Sequence, residues 1–488
     1  MSNGKKALAG QTAIYGLSSI LGRMINFLLV PLQTAVLTRA EYGVNVDFYS
    51  LIAFLIVIAT FGMETAYFRY SEQEGFEEPK VFGAAITMIG IALVAISAFA
   101  YFGQEPLLEA MRYEETPHYL FYLIAILGLD ALSAIPFARL RRENKAWRFA
   151  GIKLALILSN VAINLYVFLP AYWEQHGSAG WWMHDLRGVD YIFMANFWAS
   201  LLMFALLVPT LFPFKLHLER KYVRTLLKFG LPLLIGGLAG IANEMLDRQL
   251  LKYLLPENSW AEGVGTYGAV YKISIFLILF NQAFRYAAEP FFFRNAKTDQ
   301  GPKKMAQVME GFTWVMSVGF VLIIAGLDFL KFFVDEKFWI GLYLVPILLL
   351  ANVILGINTN LNVWYKVSDK TRYGIYITFV GLAFTVIGNV VLIPSMGILG
   401  AAITTLVAYT AMFFSSLWWG QKHYPVPYNW TKLSAFVLGA TAIVGVIHYS
   451  GISNTAIKLL IGGLYLMVMV MVERRGLFKF AFRHENKS

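Results

Sequence analysis

The chain contains no cysteine, which removes disulfides, thiolate metal centres and thiol nucleophiles from its chemistry. Charge is scarce too. Only 14% of the 488 residues are Asp, Glu, Lys or Arg, against about a quarter in soluble domains. Catalytic signatures are missing as well: no Walker phosphate loop, no His-Glu-x-x-His and no Gly-x-Ser-x-Gly occurs. Direct ATP hydrolysis is thereby disfavoured, and neither an enzyme nor a bound cofactor is expected. What the chain has in abundance is apolar surface, with 58% hydrophobic and 16% aromatic residues and a mean hydropathy of +0.59.

That apolar content is organised into runs. A helix needs about 20 residues to cross ~30 Å of hydrocarbon, and about fourteen runs of that length occur, from 9–37 and 44–68 to 431–449 and 454–472. The spacing predicts an all-α polytopic membrane protein. The first run follows Lys5 and Lys6 but is too long for a cleavable signal peptide, so it is read as the first span. Tryptophans crowd the run ends (Trp181, Trp182, Trp339, Trp364, Trp418), as residues of the membrane interface do. The external loop 171–190 carries His176 and His184, but no third ligand stands at metal spacing and no metal site is expected.

The net charge of +10 could suggest nucleic acid, but the cations sit in short loops between apolar runs, where they set orientation. By alternation, 30 of the 40 Lys and Arg fall on one side and 8 on the other. This bias predicts cytoplasmic N- and C-termini and an even number of spans. Nucleic acid is not an expected partner; membrane lipids are.

Few ionisable residues interrupt the runs. Arg23 lies near the middle of the first, with Asn26 one turn on. An intramembrane cation costs roughly 2.5–3.5 kcal/mol even on lenient insertion scales, so it faces a bundle interior or a wet cavity. The plainer alternative is an ion pair with Asp47 or Glu64. Lys272 occupies an early position in the eighth run, beside Tyr267 and Tyr271, where it could also snorkel outward. Arg248 is a further candidate contact, although the adjacent Asp247 suggests a self-neutralising pair. Glu64 and Asp130 are candidate ion-coupling sites, because a carboxyl buried in hydrocarbon has a raised pKa suited to carrying a proton. Gly236 and Gly240 form a small-xxx-small pair suited to close helix packing. Arg23 and Lys272 together predict a cationic interior for an anionic substrate, since a guanidinium offers phosphate two parallel hydrogen bonds. A pump for lipophilic cations would line its cavity with carboxylates and aromatics instead.

An internal repeat is visible. Glu41-Tyr-Gly-Val precedes the second run and Glu262-Gly-Val-Gly-Thr-Tyr the eighth; Phe68-Arg-Tyr ends the second and Phe284-Arg-Tyr lies near the end of the eighth. Six spans separate each pair, which implies parallel repeats. The expected division is 1–212 (six spans), 213–425 (six spans) and 426–488 (two added spans and a tail).

Two stretches resemble the multidrug/oligosaccharidyl-lipid/polysaccharide exporter superfamily, and within it the Wzx-type oligosaccharide-lipid flippases. One is Leu129-Asp-Ala-Leu-Ser-Ala-Ile-Pro-Phe-Ala-Arg-Leu-Arg-Arg, followed by a basic loop closing on Phe149-Ala150; the other is Asn389-Val-Val-Leu-Ile-Pro with Gly397, Gly400, Ala401 and Ala402. The resemblance implies two six-helix lobes around a central cavity that opens alternately to each side. It also implies a bacterial inner-membrane transporter that moves a polyprenyl-pyrophosphate-linked oligosaccharide outward for polysaccharide or O-antigen export. Arg23 and Lys272 match by position the basic residues that meet the lipid head. H+ or Na+ as coupling ion and a polysaccharide polymerase are the further partners it suggests. A multidrug or cation antiporter of the same fold is the nearest rival. A lipid II flippase would carry more arginines around its first span. A membrane glycosyltransferase or polymerase would need a larger external loop than this chain has.

The absence of cysteine makes the topology directly testable. In cells, Ser450→Cys is expected to react with a membrane-impermeant maleimide, whereas Glu74→Cys should react only after permeabilisation. The opposite pattern would invert the proposed orientation.

Overall fold

The computed structural model describes residues 24–25, 27–174, 188–212, 215–296 and 298–482, with the side chains of 170–174, 290 and 473–482 left aside. Among the described residues there are helices and turns and no strand. Thirteen helical stretches among the described residues are long and apolar enough to cross a membrane. Hydrocarbon offers backbone amides no partner, and a helix satisfies them within one segment. The predicted first span lies mostly outside the described residues.

Two compact units are formed, 1–265 and 266–488. Below, the Lys/Arg-poor helix ends are called outer and the Lys/Arg-rich ends inner. In the first unit, α1 (Val30–Val36) is followed by α2 (Arg39–Thr60), α3 (Met63–Tyr70) and α4 (Glu78–Phe102). Next come α5 (Gln104–Ala110), α6 (His118–Arg142), α7 (Ala146–Glu174), α8 (Asp190–Leu211) and α9 (Arg220–Leu254). The second unit takes over within α10 (Trp260–Tyr271), which passes through a 3₁₀ turn (Lys272–Ser274) into α11 (Ile275–Asn295). It continues with α12 (Gly301–Ala325), α13 (Leu327–Leu330), α14 (Val345–Leu361) and α15 (Val363–Val367). The last helices are α16 (Arg372–Met396), α17 (Ile398–His423), α18 (Trp430–Tyr449) and α19 (Thr455–Phe482).

Local chemistry fixes several boundaries. Thr38 caps α2 by accepting from the Glu41 amide, while Glu41 accepts from the Thr38 amide at 2.8 Å, a reciprocal capping box. The third span of each predicted repeat is built alike. Both α4 and α12 have 25 residues, a proline in the first turn, a glycine at the C-cap (Gly103, Gly326) and a short helix beyond it. The second and eighth spans are both interrupted: α2 breaks from α3 at Phe61–Gly62, with positive φ at both residues, and α10 breaks from α11 at Lys272–Ser274.

The packing that matters for function is that of α9 against α2 and α3. Gly230 sits against the Phe61 carbonyl and Met63 at the helix break, and a Cβ on Gly237 would lie 3.1 Å from Val57. These two glycines, two turns apart, make the close contact. The expectation of close packing is corrected at Gly240, where a Cβ would meet open space. At the outer end, Gly43 of α2 lies against the Ala261 carbonyl and Gly265 against the Arg39 carbonyl, too tight for any Cβ. In the second unit, α18 and α19 pack on α12. Lys432 bonds Glu310, Lys458 and Thr455 bond Asp328, and the Trp314 indole donates to the Met469 carbonyl.

Gly43→Val is therefore expected to lower the thermal midpoint of the purified protein in detergent. The Cβ has nowhere to go, and overpacking of this kind costs typically 1–3 kcal/mol. Gly90→Ala, whose Cβ would meet nothing within 4 Å, is the matched control and should change little.

Candidate functional site

Polar side chains inside the apolar spans of the first unit gather at three depths. The outermost is the tightest. Asp47, two turns into α2, and Lys252, in the last turn of α9, are both fully buried and pair at 2.6 Å. The Asp47 carboxylate also accepts from Tyr113 Oη at 2.5 Å and from Gln249 Nε2 at 2.7 Å, and Gln249 donates to Ser50 as well. The Lys252 ammonium lies 4.2 Å from the Tyr113 ring centre and 4.8 Å from that of Trp260, which adds cation–π attraction. Arg112 donates to the Lys252 carbonyl at 2.7 Å, and Tyr253 to the Ala110 carbonyl. Burial first, and the Asp47 charge second, push the Tyr113 phenol well above its ordinary range, so it stays a donor.

In the middle, Asp130 of α6 accepts from Ser200 of α8 at 2.8 Å. Ser200 neighbours Asn196, which is hydrogen-bonded to Tyr49 of α2. The nearby cation is Lys153 of α7, whose ammonium sits 4.4 Å from the Phe137 ring centre. The arrangement offers three neutral oxygen-bearing side chains around one carboxylate.

At the inner end, Glu64 opens α3 immediately after the helix break and pairs with Arg141. Arg139 reaches Glu143 at 3.1 Å and Glu78 at 3.6 Å, and Arg142 reaches Glu78 at 3.7 Å. Tyr67 donates to Glu78 at 2.6 Å. Although partial burial opposes it, the Lys145 and Arg139 charges hold the Glu143 carboxyl below its usual range. The basic loop is therefore largely neutralised by its own carboxylates.

The individual sequence candidates fare differently. Arg23 and Asn26 lie outside the described residues. Asp47 and Glu64, the two carboxylates considered for Arg23, have Lys252 and Arg141 as partners. The Glu64 side chain, paired with Arg141, is 42% exposed rather than enclosed by protein. Arg248 is buried and donates to Asp247 at 2.9 Å and to the Glu244 carbonyl at 2.6 Å. Lys272 is half-buried in the second unit, on the 3₁₀ turn that interrupts its span. In that unit Tyr267 and Thr405 approach at 3.4 Å, and Asn389 Oδ1 and Thr404 Oγ1 are buried without a hydrogen-bond partner.

Lys252 was the residue that sequence reasoning missed. The predicted seventh span ended on it, which placed it at a loop; the helix runs to Leu254 and draws it inside. The available signal was the Gln249-x-x-Lys252 pair, two polar residues one turn apart on the same face as the apolar stripe.

A bundle of apolar helices with ionisable groups buried at several depths defines the class as a multi-pass membrane protein. The comparisons narrow this. The chain belongs to the polysaccharide biosynthesis protein family, whose profile matches residues 8–296. A curated relative, an uncharacterized membrane protein of Methanocaldococcus jannaschii, is 23% identical over 451 residues, covering 86% of this chain and 85% of the relative. Among solved structures, the inward closed lipid II flippase MurJ aligns with a TM-score of 0.74 at 15% identity, over 95% of this chain and 99% of that one. A MATE transporter of Vibrio cholerae aligns at 0.56 and 17%, over 86% and 96%. A multidrug resistance MATE transporter of the MOP superfamily, inward-facing, aligns at 0.59 and 13%, over 85% and 95%. The fold is thus that of the MOP superfamily.

For the inner pair, Glu64→Ala and Arg141→Ala should couple by only about 0.2–1 kcal/mol in a double-mutant cycle on detergent stability, because both groups are about a third or more exposed. A coupling of several kcal/mol would show that this end is far drier than its exposure indicates.

Proposed function

We propose that this protein carries a polyprenyl-pyrophosphate-linked oligosaccharide from the cytoplasmic to the outer leaflet of a bacterial inner membrane, by alternating access and without catalysis. The observation that carries the reading is its membership of the polysaccharide biosynthesis family on a flippase/exporter fold. The repeats at 1–212 and 213–425 act as the moving lobes, with 426–488 as an addition, and both termini lie in the cytoplasm. Arg23, with Asn26, and Lys272 meet the pyrophosphate. Arg248 joins them only when its bond to Asp247 is released. Asp130, with Ser200 and Asn196 beside it, is the candidate H+ or Na+ site; Glu64 is the weaker candidate because Arg141 holds it.

Energetics favour the direction. Each negative charge leaving a negative interior gains about 2.3 kcal/mol per 100 mV. Lipid II is the second substrate class to test, given the MurJ-like fold, and a multidrug antiporter the third.

The test is transport in reconstituted vesicles with a fluorescent polyprenyl-pyrophosphate sugar. Arg23→Ala is expected to abolish movement while leaving expression and detergent stability intact. Arg23→Lys should recover only part of it, since a point charge lacks the two-pronged donor geometry. Imposing an inside-negative potential should drive substrate to the outer leaflet. Full transport by Arg23→Ala, or accumulation with neither potential nor ion gradient, would refute the reading.

A further inference from the structure

We propose that the Asp47–Lys252 pair is a latch that holds the outer end of α9 on α2 and parts whenever the protein opens outward. The proposal rests on the alternating-access reading, in which α9 begins the second repeat and α2 belongs to the first.

Three observations carry it. First, the pair sits at the outer limit of the α2–α9 contact, two turns inside α2 and in the last turn of α9. Second, it is completely buried, and its hydrogen bonds bring together α2 (Asp47, Ser50), α9 (Gln249, Lys252) and the turn after α5 (Arg112, Tyr113). Other charged groups around it are Arg112, whose guanidinium is taken up with the Lys252 carbonyl, and Glu114. Third, the opposite end of the same contact is different in kind: Gly230 lies against the Phe61 carbonyl, where the span is broken, and Arg69 of α3 rests on the Phe229 ring at 4.8 Å rather than in a buried ion pair with α9. One end is therefore held by a buried ion pair and the other by close packing.

The physics of a buried ion pair suits a latch. Removing one partner is strongly destabilising, because it leaves an unpaired charge in the dry state, whereas neutralising both is often tolerated. Once the helices part and water enters, either charge alone is hydrated. A single neutralisation therefore penalises the closed state and not the open one, and shifts the population outward.

Because the chain has no cysteine, Ser50→Cys is a nearly isosteric reporter at the heart of the cluster. Its labelling by an impermeant maleimide from the outer face should be slow in an otherwise unchanged protein. It should rise at least tenfold with Asp47→Asn or Lys252→Met, and return to within about threefold of the starting rate when both are combined. Tyr113→Phe removes one donor and keeps both charges; it should raise labelling about threefold, and it serves if a single neutralisation does not fold, as judged by gel filtration. Folded variants that label at the starting rate, or a double variant as fast as the singles, would overturn the latch. The readout needs no substrate. A failed transport assay with this labelling pattern intact would discredit the flippase reading alone, and the reverse result the latch alone.

Discussion

Hydrocarbon cannot hydrogen-bond, and most of this structure follows from that. Every backbone amide in a span has to be satisfied within its own helix, so the described chain is helical, and an ionised side chain drawn into a span needs a partner. Asp47 shows the requirement at its most demanding. One carboxylate takes a lysine, a tyrosine and a glutamine from two other segments, and none of those contacts is local in sequence. Three chain segments are thereby fixed against one another at a depth where no water could have done the work.

The same rule distinguishes the three polar layers of the first unit. The outer layer is closed, with a cation for its carboxylate and every oxygen engaged. The middle layer, at Asp130, meets its carboxylate with a serine hydroxyl at 2.8 Å and keeps Lys153 nearby. The inner layer alternates arginines and glutamates along a partly exposed surface, where pairing contributes little and solvent screens much. Tightness thus falls from the outer to the inner end. In the proposed cycle that gradient identifies the outer contact as the one that has to be broken deliberately.

Glycine plays the complementary part. Where α9 meets α2 and α3 away from the outer ion pair, the close approach is made by Gly230 and Gly237, and where α2 meets the start of α10, by Gly43 and Gly265. Without a hydrophobic force between helices in lipid, close backbone approach supplies the van der Waals contact that holds them. The break at Phe61–Gly62, with both residues at positive φ, lies within this contact and separates an outer α2 from an inner α3 that carries Glu64.

The helical class of the spans, their approximate number and the family resemblance were legible in the sequence, because hydropathy and short motifs are properties of neighbouring residues. Which polar residue meets which was not. Asp47 and Lys252 are 205 positions apart, and Lys252 looked like a loop cation until the helix was seen to run past it. The choice of Gly230 and Gly237 over Gly240 likewise depended on which face of α9 turned inward. Sequence determined that charges would be buried and that they would need partners, since that follows from the solvent alone. Only the tertiary structure decided the partners, because pairing in a dry interior is set by the geometry of helices that are distant in the chain.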